Sequence, residues 1–141
     1  INNIILMKLV SIIIPYFRKK KYIYKSVTSV LKQSYKKFEL IIVYDDENKD
    51  DLKYLIQIQK LDKRIKLIIN RKNLGAGFSR NIGIKCSKGT FIAFLDADDY
   101  WHKSKLKIQL EYMLKFNLNI THTSYKIVSK GIHLHNRKAK Q

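Results

Sequence analysis

At 141 residues the chain is long enough for one domain or for part of a larger one. An apolar content of 45% supports a packed core and excludes wholesale disorder. The net charge of +18 invites a nucleic-acid reading, yet 24 of the 29 basic residues are Lys, scattered through every segment. The short basic clusters at residues 18–21, 36–37, 71–72 and 137–138 carry no nucleic-acid motif, so no specific nucleic-acid partner is expected. An AT-rich coding sequence, which enriches Lys, Ile and Asn together, accounts for such a composition. A basic surface would still favour docking on an anionic membrane face. The single cysteine, Cys86, excludes an internal disulfide and fits a reducing cytoplasm; it reads as a small buried hydrophobe in a helix. No window reaches the roughly 18–20 apolar residues needed to span a bilayer. The apolar start is interrupted by Lys8 and ends at Pro15 without a small-residue cleavage site, which argues against a signal peptide. Met7 reads as the true start, with residues 1–6 as translated upstream sequence.

Residues 9–14 are β-branched and almost continuously apolar, which predicts a parallel strand covered on both faces and stopped by Pro15. Ile23, Val27, Val30 and Leu31 recur at helical spacing and predict a helix near 20–33. A second strand over 38–43 ends at Tyr44-Asp45-Asp46, and Leu52, Leu55 and Ile56 mark a second helix. A third strand at 65–69 is followed by the glycine-bearing Asn73-Leu74-Gly75-Ala76-Gly77 and a helix to about Cys86. A fourth strand at 91–95, read as buried, runs straight into Asp96-Ala97-Asp98-Asp99. Leu106, Leu110 and Met113 predict a helix from near Ser104, and 120–128 looks extended. Strands alternating with helices imply right-handed βαβ units on a mostly parallel central sheet flanked by helices.

In open α/β sheets ligands bind beyond the C-terminal ends of the strands. Residues 15–18, 44–46 and 96–99 are three such ends, expected along one edge of the sheet. Crowded acids repel one another unless something positive sits among them. An Asp-x-Asp (DXD) at a strand end therefore suggests a hard divalent cation carrying a phosphate-bearing ligand; the alternative is a solvated turn capping the next helix. Asp45 either accepts a hydrogen bond from a base or ribose, or caps the second helix. Arg80, about one turn into the helix after the glycines, either grips a diphosphate or base or is a surface arginine. Tyr100-Trp101 read as core or, alternatively, as the lip of the cleft. His133 and His135 have no cysteine or carboxylate near them in sequence and do not read as metal ligands; His102 reads as a solvated helix start.

These pieces resemble the N-terminal half of family 2 glycosyltransferases, which have the GT-A fold. The likeness rests on Val10-Ser11-Ile12-Ile13-Ile14-Pro15-Tyr16-Phe17, on residues 29–43, on Asn73-Leu74-Gly75 with residues 79–84, and on residues 89–99, covering roughly 8–128. The resemblance implies a Rossmann-like GT-A fold, incomplete at its C-terminus, with residues 1–7 and 129–141 as poorly defined tails. It implies inverting transfer of a sugar from a nucleoside-diphosphate sugar, a UDP-sugar foremost, to a hydroxyl of a saccharide or lipid-linked acceptor. The setting it implies is cell-surface polysaccharide synthesis, in the cytoplasm or peripherally at the inner membrane face.

By the same resemblance, the backbone around Pro15 and Tyr16 and the side chain of Asp45 would hold the nucleobase and ribose. Arg80 would lie near the nucleotide. Asp96 would contact the ribose or help place the metal, with Ala97 beside it in the donor-binding set. Asp98 would bind Mg²⁺ or Mn²⁺. Three departures stand out: Arg18 replaces the family's usual Asn, Asp45-Asp46-Glu47-Asn48 replaces Asp-Asp-Gly-Ser, and no acid suited to be the general base follows Asp99. The remaining acid, Glu111, lies within an amphipathic helix. The expectation is a donor- and metal-binding half without its catalytic base; the alternatives are a non-catalytic nucleotide-sugar-binding module or a basic nucleic-acid-binding domain.

Overall fold

The computed structural model describes residues 7–129 and 132–138; the side chains of 132–135 and the proposed upstream segment 1–6 lie outside that description. The chain forms two compact units, residues 1–106 and 107–141. In the first, β1 (Val10–Tyr16), α1 (Lys20–Leu31), β2 (Phe38–Tyr44), α2 (Lys49–Gln59), β3 (Ile65–Ile69), α3 (Ala76–Cys86) and β4 (Phe91–Phe94) alternate. The four strands make one parallel sheet in the order β3-β2-β1-β4. Strand order reverses between β1 and β4, so right-handed crossovers put α1 and α2 on one face and α3 on the other. Side-chain direction agrees: Ile13 points at Gly83 of α3, whereas the Tyr16 hydroxyl reaches Asp51 of α2.

β1 and β2 are buried on both faces, as their apolar runs, interrupted only by Ser11 and Glu39, require. Ile13, Ile41 and Val43 form the core beneath α3, joined by Ile68 and Ile82. At the opposite edge of the sheet, Glu39 accepts from the Ser11 hydroxyl, the Lys88 amide and the Lys66 ammonium.

The structure corrects several expectations. Pro15 does not stop β1, which continues to Tyr16 with Pro15 opposite Val43. The reason is the ladder's direction. Ile13 uses its carbonyl toward Leu95 beyond β4, so odd-numbered residues face that side, and the β4 pairing ends at Phe94 opposite Ile13. The missing amide of Pro15 thus faces a place with no strand to receive it. The fourth strand is an edge, not a buried strand: Ile92 and Phe94 are exposed. Cys86 is exposed rather than buried, because it is the last residue of α3.

In the second unit, α4 (Lys105–Lys115, whose first two residues belong to the first unit) pairs Lys107 with Glu111 and sets the Tyr112 ring at a tilt against Phe116. The segment expected to be a tail from 129 instead carries β6 (Ile132–Arg137), antiparallel to β5 (Tyr125–Ser129). Pairing satisfies the backbone groups that face across the two-stranded ladder, which an isolated tail would leave to water. Residues 120–124, expected to be extended, have no regular structure.

Candidate functional site: a bonded rim at the strand ends

A cleft of about 430 Å³ opens where β1 and β2 end, lined by residues 15–18, 45–47, Asn73, Gly75 and Ala76. Asp45, 2% exposed, anchors its far wall. One carboxylate oxygen accepts from the Asn70 side-chain amide (2.7 Å) and the Leu74 amide (2.8 Å); the other accepts from the Gly75 amide (2.7 Å). Asn70 also donates to the Ser79 hydroxyl, and Asn73 donates to the Asp45 carbonyl. Gly75 has φ +88°, a left-handed conformation that glycine adopts without strain as the chain enters α3. The alternative that Asp45 caps α2 does not hold. Asn48 caps it, accepting from the amides of Asp50 and Asp51.

Asp46 accepts from the amides of Arg18 (3.2 Å) and Glu47 (2.7 Å). Arg18 sits at φ +50°, where Asn or Gly is more at ease than a long side chain. The Tyr16 ring is fully buried, stacked on Tyr44, and its hydroxyl donates to Asp51 at 2.6 Å. Burial first, then that bond and the charge of Asp51, hold its phenol far above the ordinary tyrosine range. Only the backbone of Tyr16 borders the cleft. The aromatic face presented there is that of Phe17, half-exposed, with the Arg18 guanidinium 4.9 Å from its ring centre.

Across the β1–β4 reversal, Arg80 pairs with Asp96 and Lys19 pairs with Asp98, each at 2.7 Å. The Lys19 ammonium is held above its ordinary pKa by its hydrogen bond to Asp98 and then by that residue's charge. Burial, then the charges of Asp98 and Asp96, raise the Asp99 carboxyl. Ala97 is buried and its carbonyl accepts from the Ser26 hydroxyl. The three acids thus carry cations among them, from two basic side chains of the chain itself.

These contacts close a circuit. Asp45 is bonded to Asn70, Asn70 to Ser79, the neighbouring Arg80 to Asp96; Asp98 is bonded to Lys19, whose neighbour Arg18 is bonded to Asp46, next to Asp45. Of the seven residues singled out in the sequence, Pro15, Tyr16 and Asp45 line the cleft, whereas Arg80, Asp96, Ala97 and Asp98 do not and connect to it through these contacts. Asp96 and Asp98 offer half-exposed hard oxygen donors that already attract cations, and so fit Mg²⁺ or Mn²⁺. Among the described residues no three His, Cys, Asp or Glu side chains form a metal cage. A cation here would take its remaining ligands from phosphate and water, as Mg²⁺ commonly does.

Sequence reasoning missed Phe17, Lys19, Asn70 and Asn73. Phe17 and Asn73 stood within the family-like motifs but had no role assigned, and Lys19 and Asn70 were marked only by proximity to the strand ends. Tyr100 and Trp101 are not core: Tyr100 is exposed under the Lys25 ammonium at 3.6 Å, and Trp101 is half-buried with Lys105 5.2 Å from its ring. His102 is exposed, as expected, while the side chains of His133 and His135 lie outside the described residues.

Residues 11–139 match the sequence profile of glycosyl transferase family 2. WfgD of Escherichia coli, named as a UDP-Glc:α-D-GlcNAc-diphosphoundecaprenol β-1,3-glucosyltransferase, is 40% identical over 123 residues, covering 87% of this chain and 48% of WfgD. A glycosyltransferase of Rickettsia conorii is 45% identical over 123 residues, 86% of this chain and 20% of its own length. The chain therefore spans about half, or about a fifth, of these relatives. TarS of S. aureus, solved in complex with UDP, superposes with a TM-score of 0.69 at 29% identity, over 79% of this chain and 33% of TarS. Profile, relatives and superposition agree with the sheet order and the strand-end cleft: the chain belongs to glycosyl transferase family 2 and has the GT-A fold.

Proposed function

We propose that this chain is the donor-binding portion of a glycosyltransferase that moves a sugar, with inversion, from a nucleoside-diphosphate sugar to an acceptor hydroxyl in cell-surface polysaccharide synthesis. The observation that carries the reading is the bonded circuit that joins Asp45, on the cleft wall, to Arg80 and Asp98 beyond it. The base of the nucleotide lies on the exposed face of Phe17, against the wall held by Asp45 and Asn73. Arg80 and Lys19 face the diphosphate, and Asp98, with Asp96, holds Mg²⁺ or Mn²⁺. When bound, the cation supplies Lewis-acid neutralisation of the charge on the departing diphosphate. The chain's own residues bind and orient the donor.

UDP is the favoured nucleotide, because TarS is solved with UDP and with UDP-GlcNAc, and WfgD is named for UDP-Glc. WfgD's named acceptor, a saccharide on diphosphoundecaprenol, makes a lipid-linked acceptor the first candidate. The general base is assigned to the part of the relatives that this chain does not span. Glu111, paired with Lys107 in α4, is not that base. No helix among the described residues is long and apolar enough to cross a membrane. The excess of lysines supports peripheral contact with an anionic inner leaflet on the cytoplasmic side.

Calorimetry with UDP, with and without Mn²⁺, tests the reading. Metal-dependent binding should vanish in Asp98→Ala and weaken about tenfold or more in Phe17→Ala, as expected for lost base stacking. Radiolabelled donor should bind without appreciable transfer by the 141-residue chain, and robust transfer would contradict the assignment of the base. Salt-sensitive oligonucleotide binding indifferent to Mn²⁺ would replace the reading with a nucleic-acid one.

A further inference from the structure

Ser26 and Ser29 of α1 and Gln33 just past its C-terminus are three polar side chains that each bond the segment following β4. Ser26, 1% exposed, donates to the carbonyls of Ala97 (2.8 Å) and Asp99 (2.5 Å). Ser29 accepts from the Trp101 amide (3.1 Å). Gln33, fully buried, donates to the His102 carbonyl (2.8 Å) and accepts from the Leu106 amide (3.1 Å). By helical spacing, residues 26, 29 and 33 fall on one side. Together they satisfy five backbone groups of a stretch that has no ladder partner there. The helix edge thus does for residues 97–106 what a neighbouring strand does for a strand.

Polar side chains inside a helix that faces a core are a liability unless every group is satisfied. Here that segment and the α1 carbonyls of Ser26 and Ser29 share the task, and no buried side-chain nitrogen or oxygen among the described residues lacks a partner. Ser26 is the member closest to the acids. Its hydroxyl is shared between the carbonyl just before Asp98 and the carbonyl of Asp99, so it pins the peptide planes on both sides of the Asp98-Asp99 pair. The Asp98–Asp99 peptide between them is held by the Asp99 amide, which donates to the Asp96 carbonyl.

We infer that Ser26 is a positioning residue: through the Ala97 and Asp99 carbonyls it aims the Asp98 carboxylate at the cleft, with Ser29 and Gln33 holding the rest of the segment in register. This rests on the donor- and metal-binding reading above. Ser26 touches neither nucleotide nor metal on that reading, so its removal should disturb the metal-linked part of donor binding and spare the rest. Groups that orient metal ligands typically contribute about 10–100-fold to metal affinity.

The test is the ratio of the UDP dissociation constant in EDTA to that in saturating Mn²⁺, measured on the wild-type 141-residue chain, Asp98→Ala, Ser26→Ala and Ser26→Thr. Wild type should show a ratio well above one and Asp98→Ala a ratio near one. Ser26→Ala should keep the EDTA value within about twofold while its ratio shrinks by about tenfold or more. Ser26→Thr, which keeps the hydroxyl, should recover most of the ratio. An unchanged ratio in Ser26→Ala overturns the inference. So does a loss of affinity equal in EDTA and in Mn²⁺, which would mark a merely structural serine. A wild-type ratio of one instead refutes the metal-binding reading itself, and the inference falls with it. Should Ser26→Ala fail to fold, Ser26→Cys, whose thiol is only a weak donor, carries the same comparison.

Discussion

Asp45 is the residue at which the donor-site reading and the architecture of the cleft are most tightly joined, and replacing it by its isostere separates them. In Asp45→Asn the side-chain carbonyl can keep the place of the oxygen that accepts from Asn70 and Leu74. The new amide then faces the Gly75 amide, so a bond of 2.7 Å becomes donor against donor. The alternative flip restores Gly75 and loses two bonds instead of one. A hydrogen bond to a charged group contributes about 1.5–3 kcal/mol, and a buried donor left unpaired costs about 1–3 kcal/mol. Asp45→Asn should therefore destabilise the fold by about 2–4 kcal/mol, a shift of about 1–2 M in the urea midpoint at an m-value of about 2 kcal/mol/M. The entry of the chain into α3 should loosen with it, exposing the amides of Leu74 and Gly75 to hydrogen exchange. UDP affinity should fall as well, because the wall made by Asn73 and Gly75 hangs on this carboxylate. A urea midpoint within 0.3 M or so of wild type, by the same m-value reasoning, would refute the claim that the carboxylate is committed to its own chain.

Three further outcomes follow from other contacts. Gly83→Ala places a methyl 2.5 Å from Cγ2 of the fully buried Ile13, so α3 must lift from β1; a loss of about 1–3 kcal/mol should lower Tm by several degrees in a calorimetric scan. Arg18→Asn puts a residue tolerant of left-handed backbone at φ +50° and should raise stability by about 0.5–1 kcal/mol in urea unfolding, provided the Phe17 contact contributes less than that. Burial alone would raise the Glu39 pKa, but the bonds from Lys66, Ser11 and Lys88 outweigh it and hold the carboxyl below its ordinary value of 4.5. A carboxyl depressed in the folded state contributes stability that is whole above the unfolded pKa and is lost as pH falls through the folded one. Glu39→Gln should flatten the dependence of urea midpoint on pH below about 4.5 and leave the dependence near neutrality unchanged; an unaltered acid limb would contradict this.

The parts of the fold that were legible in the sequence are those where one local pattern decides the outcome. The nearly continuous apolar runs of β1 and β2 read as strands covered on both faces, and the spacing of Ile23, Val27 and Val30 reads as one side of a helix. Pro15 misled because its effect depends on which neighbour its missing amide faces, and that is a property of strand order. The burial of β4 was misjudged for the same reason, since an apolar run does not reveal that it lies at an edge. The Asp-x-Asp was visible as chemistry, but Lys19 and Arg80 as its partners were not, being 79 and 16 residues distant. Asp45 stayed ambiguous in sequence because every group that binds its carboxylate lies 25 to 30 residues downstream.

Among the described residues no strand pairs with the outer margin of β4, where Ile92 and Phe94 are exposed. Such a margin recruits whatever extended segment reaches it first. A newcomer aligned parallel to β4 would finish beside Asp96 and Asp98, where the two carboxylates already hold Arg80 and Lys19. Its arrival would lengthen the sheet and cover those two ion pairs in one step.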